Sequence, residues 1–166
     1  LQFAVQAGRL EATTALLDAG GSLTDETPQG MGILTLAIAN AHYDVAALLA
    51  ARGADVHAAK IGWTPLHQIV RMRTLNIGQF PHPEPTGGMT SLDLVKVLLK
   101  HGADIDARTT KGWQDGWRGG FGMNATPFIL AAKGGDTTMM WLLAASGADR
   151  FAINVNGTNA IMVAGG

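Results

Sequence analysis

The chain has 166 residues, enough for one domain with its own apolar core, and 47% of them are hydrophobic against 15% charged. Its net charge is −1 with Lys and Arg scattered, which argues against a nucleic-acid partner, and no apolar run reaches the roughly 20 residues that span a bilayer. Because cysteine is absent, disulfides, thiolate metal sites and a cysteine nucleophile are excluded. We predict a soluble protein, cytoplasmic or, if a signal peptide precedes this segment, periplasmic.

Four helix-stop segments recur along the chain, and each follows an apolar helical run. Their first residues are separated by 33, 49 and 45 positions. Glycine closes a last helical turn because it adopts positive φ without strain. A spacing of 33 is the period of a known repeat class, so the two longer gaps predict the same repeat with inserted residues. The segments are Gly20–Leu23, Gly53–Val56, Gly102–Ile105 and Gly147–Arg150.

The helix before each stop glycine carries apolar residues at i, i+3 and i+4, which predicts one face packed against a core. These are Ala12, Ala15, Leu16, Val45, Leu48, Leu49, Leu94, Val97, Leu98, Met139, Leu142 and Leu143. An acidic residue opens each of these helices, where a carboxylate stabilises the N-terminus. We therefore predict structural rather than catalytic roles for Glu11, Asp44, Asp93 and Asp136.

A second kind of helix begins at Thr64-Pro65-Leu66-His67 and again at Thr126-Pro127-Phe128. Threonine is a good N-cap, and proline suits the first helical position because its missing N–H would have had no partner there. With these helix starts and the Gly-Ala-Asp segments that end helices, the chain resembles the ankyrin repeat family. Within that family it is similar to uncharacterised bacterial ankyrin repeat proteins with loop insertions. Ile129 replaces the motif histidine in the later start.

The resemblance implies an all-α solenoid of helix-turn-helix units with β-hairpin fingers, comprising about four repeats and a truncated fifth. The expected repeats are 1–31, 32–63, 64–125, 126–158 and a partial 159–166 of a single domain. The resemblance also implies that His67 bridges its loop and the neighbouring repeat through hydrogen bonds. Such a segment would be a fragment, incomplete without flanking repeats.

Comparison of the repeats places the additional residues in two insertions, about 72–89 and about 111–123. The first contains three alternating prolines and predicts an extended, polyproline-like loop from Arg73 to Gly88. The second enlarges a finger with glycine and aromatic residues, which either recognise a ligand or fold back on the stack. Trp141 occupies a solvent-facing offset in its helix, where it either forms a contact on the convex face or packs under a loop, and we expect the first insertion to cover it.

No local pattern indicates an active site, a metal site or a cofactor, since the five histidines lie apart and no phosphate-binding spacing is present. We expect a non-enzymatic module that binds a protein of unknown identity on its concave face and fingers. Candidate contacts are Asn40, Trp63, Arg71, Trp113, Trp117, Arg118 and Lys133. The alternatives are a glycan or small-molecule site in the aromatic finger, serving an enzyme domain outside this segment, and a structural spacer.

Overall fold

A computed structural model describes residues 1–74, 82–111 and 123–164 of the chain. Within these residues the regular structure is helical, and an isolated antiparallel bridge joins Glu26 and Gly32. The helices are α1 (Gln2–Gln6), α2 (Leu10–Asp18), α3 (Ile33–Ala39), α4 (Tyr43–Ala51), α5 (Pro65–Thr74), α6 (Ser91–Lys100), α7 (Pro127–Lys133), α8 (Thr137–Ala145) and α9 (Ala160–Ala164).

The helix ends follow the predicted signals. All four stop glycines have positive φ, between 86° and 97°, which a residue with a Cβ adopts only with strain. At the other end, the Thr90 hydroxyl accepts a hydrogen bond from the Asp93 N–H, and the Thr126 hydroxyl accepts one from the Ile129 N–H. The Asp136 carboxylate accepts one from the Met139 N–H in the same way. These caps satisfy backbone donors that the helix itself leaves unpaired.

The helices form two rows. The first helices, α1, α3, α5, α7 and α9, pack on one another in chain order, and each of the first four also packs on the helix that follows it. The second helices, α2, α4 and α6, form the other row beside them. Fully buried aliphatic side chains fill the space between the rows, among them Ile38, Leu49, Leu66, Leu98 and Leu143. This is the expected all-α ankyrin solenoid.

The first and last residues of the predicted apolar stripe are buried in three of the four second helices, and its middle residue is half-buried. Val45, Leu94 and Met139 are buried, whereas the equivalent Ala12 in α2 is exposed. The expectation of a buried stripe is therefore wrong for α2. α2 lies at the edge of the described row, beside α4, whereas α4 lies between α2 and α6. Each repeat buries its faces through its neighbours.

The fingers are hydrogen-bonded loops that connect neighbouring repeats. Within the enlarged finger, Thr109 N–H donates to Ala125 O at 3.1 Å and Asn124 N–H donates to Thr109 O at 2.8 Å. Between fingers, Thr110 N–H donates to Gly62 O at 2.8 Å and Val155 N–H donates to Met123 O at 3.2 Å. These backbone bonds join the fingers into a row beside the first helices.

Candidate partner-binding surface

The motif histidine His67 is a structural residue, as predicted. It is fully buried, and its Nδ1 accepts a hydrogen bond from the Thr64 N–H at 3.2 Å and lies 2.8 Å from the Thr64 hydroxyl. With Nδ1 accepting, Nε2 carries the proton and donates at 3.1 Å to the backbone oxygen of Ala125, the residue directly before the fourth repeat. Burial lowers the pKa of His67 to about 4, against the opposing effect of backbone carbonyls. The ring is therefore neutral near pH 7 and holds two repeats together.

Two of the candidate contact residues lie against each other at the start of the third repeat. The Arg71 guanidinium lies 5.5 Å from the centroid of the Trp63 ring, within range of a cation–π interaction. The Trp63 indole N–H donates to Gln68 Oε1 at 2.7 Å, and Gln68 is itself buried. Because the ring is held by this bond, the half-buried pair is already ordered before any partner arrives.

Lys133 and Asn40 lie on the two first helices that flank α5. Lys133 is the last residue of α7 and stands at the position equivalent to Arg71, and α7 packs directly on α5. Asn40 ends α3, where its amide donates to Leu36 O at 2.9 Å. Both side chains are half-buried. Four of the predicted contact residues therefore lie on or directly beside three consecutive first helices: Asn40, Trp63, Arg71 and Lys133.

The remaining candidates, Trp113, Trp117 and Arg118, lie outside the described residues, as does most of the second insertion. Their role stays a prediction. The described base of this finger is firmly held, since Thr109 is buried and its hydroxyl accepts a hydrogen bond from the Ala125 N–H at 3.0 Å. Arg108 further donates to Asn124 O at 3.0 Å and to Ile153 O at 2.5 Å, which joins this finger to the next.

The first insertion begins as helix and not as an extended loop. α5 continues through Thr74, three residues longer than α3 or α7, so the expectation of an extended chain from Arg73 is wrong at its start. The added turn positions Arg73 over the N-termini of two second helices. Its guanidinium donates to both oxygens of Asp136, at 2.5 and 3.1 Å, and to the Ser91 hydroxyl at 2.8 Å. One side chain therefore connects α5, α6 and α8.

The Arg73–Asp136 ion pair is largely removed from water, with 24% and 4% of the two side chains exposed. Burial raises the pKa of Asp136, but the hydrogen bond and charge of Arg73 and the Met139 N–H outweigh it and hold the pKa below the usual range. The sequence predicts the structural role of Asp136 from its position at the start of α8. It does not predict that Arg73 is the partner of Asp136, because 63 residues separate them and no sequence signal connects them.

The other end of the first insertion is fixed to the second repeat. Thr86 N–H donates to Ala41 O at 3.4 Å, and the Thr86 hydroxyl lies 2.8 Å from His42 Nδ1. Gly88 N–H donates to the Asp44 carboxylate at 2.9 Å. The same His42 ring contacts Gln6 O at 3.0 Å in the first repeat. The described parts of this insertion thus contact the second and fourth repeats, and His42 in turn contacts the first. The structural reading of Asp44 and Asp136 is correct.

Trp141 is 77% exposed, so the expected cover by the first insertion is wrong. The described end of that insertion runs to Ala41 and Asp44 in the second repeat, away from α8. Trp141 instead borders an open groove of about 310 Å³ that Phe128, Met140, Ala144 and Arg150 also line. In α4, on which α6 packs, the equivalent residue Ala47 is half-buried.

Other kinds of site find no support in the described part of the chain. Residues 1–74, 82–111 and 123–164 contain no group of three or more His, Cys, Asp or Glu side chains that could hold a metal ion. Across the same ranges, none of the helices has the length and apolar character required to cross a membrane.

Comparison with known proteins agrees with this architecture. A family model for ankyrin repeats in three copies matches residues 1–80, and the single ankyrin repeat model matches residues 61–110. Fem-1 homolog A from Bos taurus and from Homo sapiens are each 37% identical over 95 residues, or 57% of this chain. The human 2-5A-dependent ribonuclease is 32% identical over 109 residues, or 64% of it. The chain spans only 11 to 12% of these relatives' length. By its repeat motifs, its stacked helices and these matches, the chain belongs to the ankyrin repeat family.

Proposed function

We propose that the chain is a non-enzymatic protein-interaction module whose partner binds across the first helices and the adjacent fingers. Ankyrin repeats are generally protein-interaction modules. The observation that carries the proposal is the Trp63–Arg71 pair, with 5.5 Å between the guanidinium carbon and the ring centroid. Tryptophan and arginine are the residue types most enriched among those that dominate binding energy at protein interfaces.

The pair is suited to binding because its geometry is set in advance. Gln68 fixes the Trp63 indole, and Arg71 lies over the ring, so a partner does not have to order either side chain. Lys133 adds a second cation at the equivalent position of the neighbouring first helix. Asn40 extends the surface toward the second repeat. These residues define a half-buried polar surface with an aromatic centre, which fits a folded or peptide partner better than a deep small-molecule pocket.

Alanine substitution of this surface tests the proposal. A partner is first isolated by affinity purification with the chain as bait, and its Kd is then measured by isothermal titration calorimetry. We expect Trp63→Ala or Arg71→Ala to weaken binding at least tenfold, or by about 1.4 kcal/mol. Lys100→Ala, an exposed cation at the end of α6 in the other row, is the matched control and should change nothing. Equal affinity in all three variants would reject this surface.

The two alternative functions give different results in the same assays. A glycan or small-molecule site in the aromatic finger would require Trp113, Trp117 and Arg118, which lie outside the described residues. Substitution of Trp113 or Trp117 would then abolish binding of a saccharide library while leaving protein binding intact. A structural spacer would bind no partner, so affinity purification with the chain as bait would recover none.

A further inference from the structure

A cavity of about 230 Å³ lies between the finger that follows α2 and the first residues of α3. The Ile33 N–H donates to Asp25 O at 3.2 Å, which holds this finger beside the helix. The cavity is smaller than the pockets that bind drug-sized molecules, and neither Trp63 nor Arg71 lines it. The polar or small residues of its wall include Asp25, Glu26, Gly32, Thr35, Asp55 and Ala58.

The cavity lies where the third repeat holds the imidazole ring of His67. In the aligned helix starts, Gly32 stands at the position of Thr64, and Thr35 stands at that of His67. Both replacements remove side-chain volume, since glycine has no side chain and threonine has no ring. The third repeat therefore fills this position with its own buried imidazole, whereas the second repeat has a cavity there.

The surroundings of the ring are the same in the two repeats. Burial lowers the pKa of His67, and the backbone of Ala107 and the carboxylate of Asp104 act in the opposite direction, which places both beside the ring. These residues come five and two positions after the stop glycine of the third repeat. At the same distances after the stop glycine of the second repeat are Ala58 and Asp55, and both line the cavity. A ring in the cavity would therefore meet the same kinds of group as the ring of His67.

Two polar groups in the cavity wall have no partner within the described parts of the chain. The hydroxyl of Thr35, a residue only 1% exposed, forms no hydrogen bond to any of these residues. The half-buried Asp25 carboxylate forms neither a hydrogen bond nor an ion pair with them. Glu26, by contrast, is paired with Lys60. Because a buried polar group without a partner is costly, these two groups indicate a ligand that has N–H donors and a positive charge.

We propose that this cavity binds a small molecule that consists of a nitrogen heterocycle of imidazole size and a cationic amine. The ring takes the position that His67 fills in the third repeat, and its N–H donates to the Thr35 hydroxyl. The ammonium group lies against the Asp25 carboxylate, where a charge-assisted hydrogen bond is stronger than a neutral one. The site is separate from the surface proposed above for a protein partner, so each stands or falls by its own test.

Titration of the isotope-labelled chain with imidazole and with histamine, which adds an ammonium group to the same ring, tests this by NMR. We expect saturable shifts of the backbone amides around Thr35, with a Kd on the order of 1 mM for imidazole, as a ligand of this size allows. Histamine should bind about threefold more tightly, the effect of one partly exposed ion pair, and Asp25→Asn should remove that difference. Glu11→Gln, which alters an exposed carboxylate on α2, is the control and should leave both affinities unchanged.

Two variants at the cavity complete the test. Thr35→Val keeps the shape of the side chain and removes the hydroxyl, so it should fold normally and bind imidazole at least about threefold more weakly. Gly32→Thr combined with Thr35→His introduces the pair of the third repeat. A Cβ at Gly32 would lie 3.9 Å from the Ala58 Cβ, an ordinary contact, so the new side chain can be accommodated. This double variant should lose imidazole binding because its own ring fills the cavity.

Three results would overturn the proposal. The first is the absence of saturable shifts, or shifts confined to amides outside the first two repeats. The second is unchanged imidazole affinity in the double variant, once circular dichroism has shown that it folds; if it does not fold, unchanged affinity in Thr35→Val has the same meaning. The third is equal affinity for imidazole and histamine in the unmodified chain. Trp63→Ala should not alter either affinity, so failure here leaves the protein-binding surface untouched.

Discussion

The ion pair between Arg73 and Asp136 offers the most demanding test of how the first insertion acts on the stack. Arg73→Met keeps the length of the side chain but removes three hydrogen bonds, two to the carboxylate and one to Ser91. Asp136, only 4% exposed, would remain with the Met139 N–H as its described hydrogen-bond donor. Removing one partner of a buried pair costs about 3–5 kcal/mol. Because Arg73 is 24% exposed, we expect the lower end, about 3 kcal/mol.

Urea unfolding followed by circular dichroism measures the loss for Arg73→Met, Asp136→Ala and the double variant. Asp136→Ala should cost about 1 kcal/mol more than Arg73→Met because it also removes the cap of α8. The coupling free energy in the double-mutant cycle should exceed about 1.5 kcal/mol. Lys96→Met, which breaks the exposed pair with Asp93, is the control and should produce no measurable change. A loss below about 1 kcal/mol for Arg73→Met, or additive single effects, would refute the reasoning.

Two further predictions concern the buried His67 and the loop residue Gly87. The pKa of His67 is about 4 in the folded chain against 6.5 for a free histidine, so the unfolded state binds more protons between these values and stability falls as pH drops from 6.5 to 4. The expected loss is about 3 kcal/mol, and denaturant titrations of His67→Ile should lack it, whereas an identical pH dependence in that variant would contradict the assignment. Gly87 has φ of +89°, and a Cβ there would meet the Asp44 carboxylate, so Gly87→Ala should lower stability by at least about 1 kcal/mol in thermal or urea unfolding. Gly88→Ala has open space around its Cβ and should be tolerated; equal destabilisation by both would show that the loop end is not held as described.

Much of the architecture could be read from the sequence because its signals are local. A glycine with positive φ, a threonine or aspartate cap and an apolar stripe each depend on residues within one or two turns. The cap at Thr126 and the buried His67 bridge accordingly appear as predicted. No local signal predicted the contact of Arg73 with Asp136, because the sequence of the first insertion does not show that α5 continues to Thr74.

The wrong expectation for Trp141 has a similar origin. Comparison with the same position in the other repeats correctly placed Trp141 on an outward face. Whether the first insertion covers it depends on the path of that insertion, which the sequence does not give. That path is decided by hydrogen bonds from Thr86 and Gly88 to the second repeat, between groups more than 40 residues apart in the chain.

By itself, the sequence determined the family, the order of the helices and most of their ends, because the same local pattern recurs four times and each copy can be read from the others. Only the tertiary structure decided which distant groups meet: Arg73 with Asp136, Thr86 with His42, and Arg71 with Trp63 in a fixed geometry. The physical reason is that repeat stacking fixes the position of each helix, whereas side chains and insertions take partners according to three-dimensional proximity. Local sequence propensity constrains the positions of the helices but leaves the partners of the side chains and insertions undetermined.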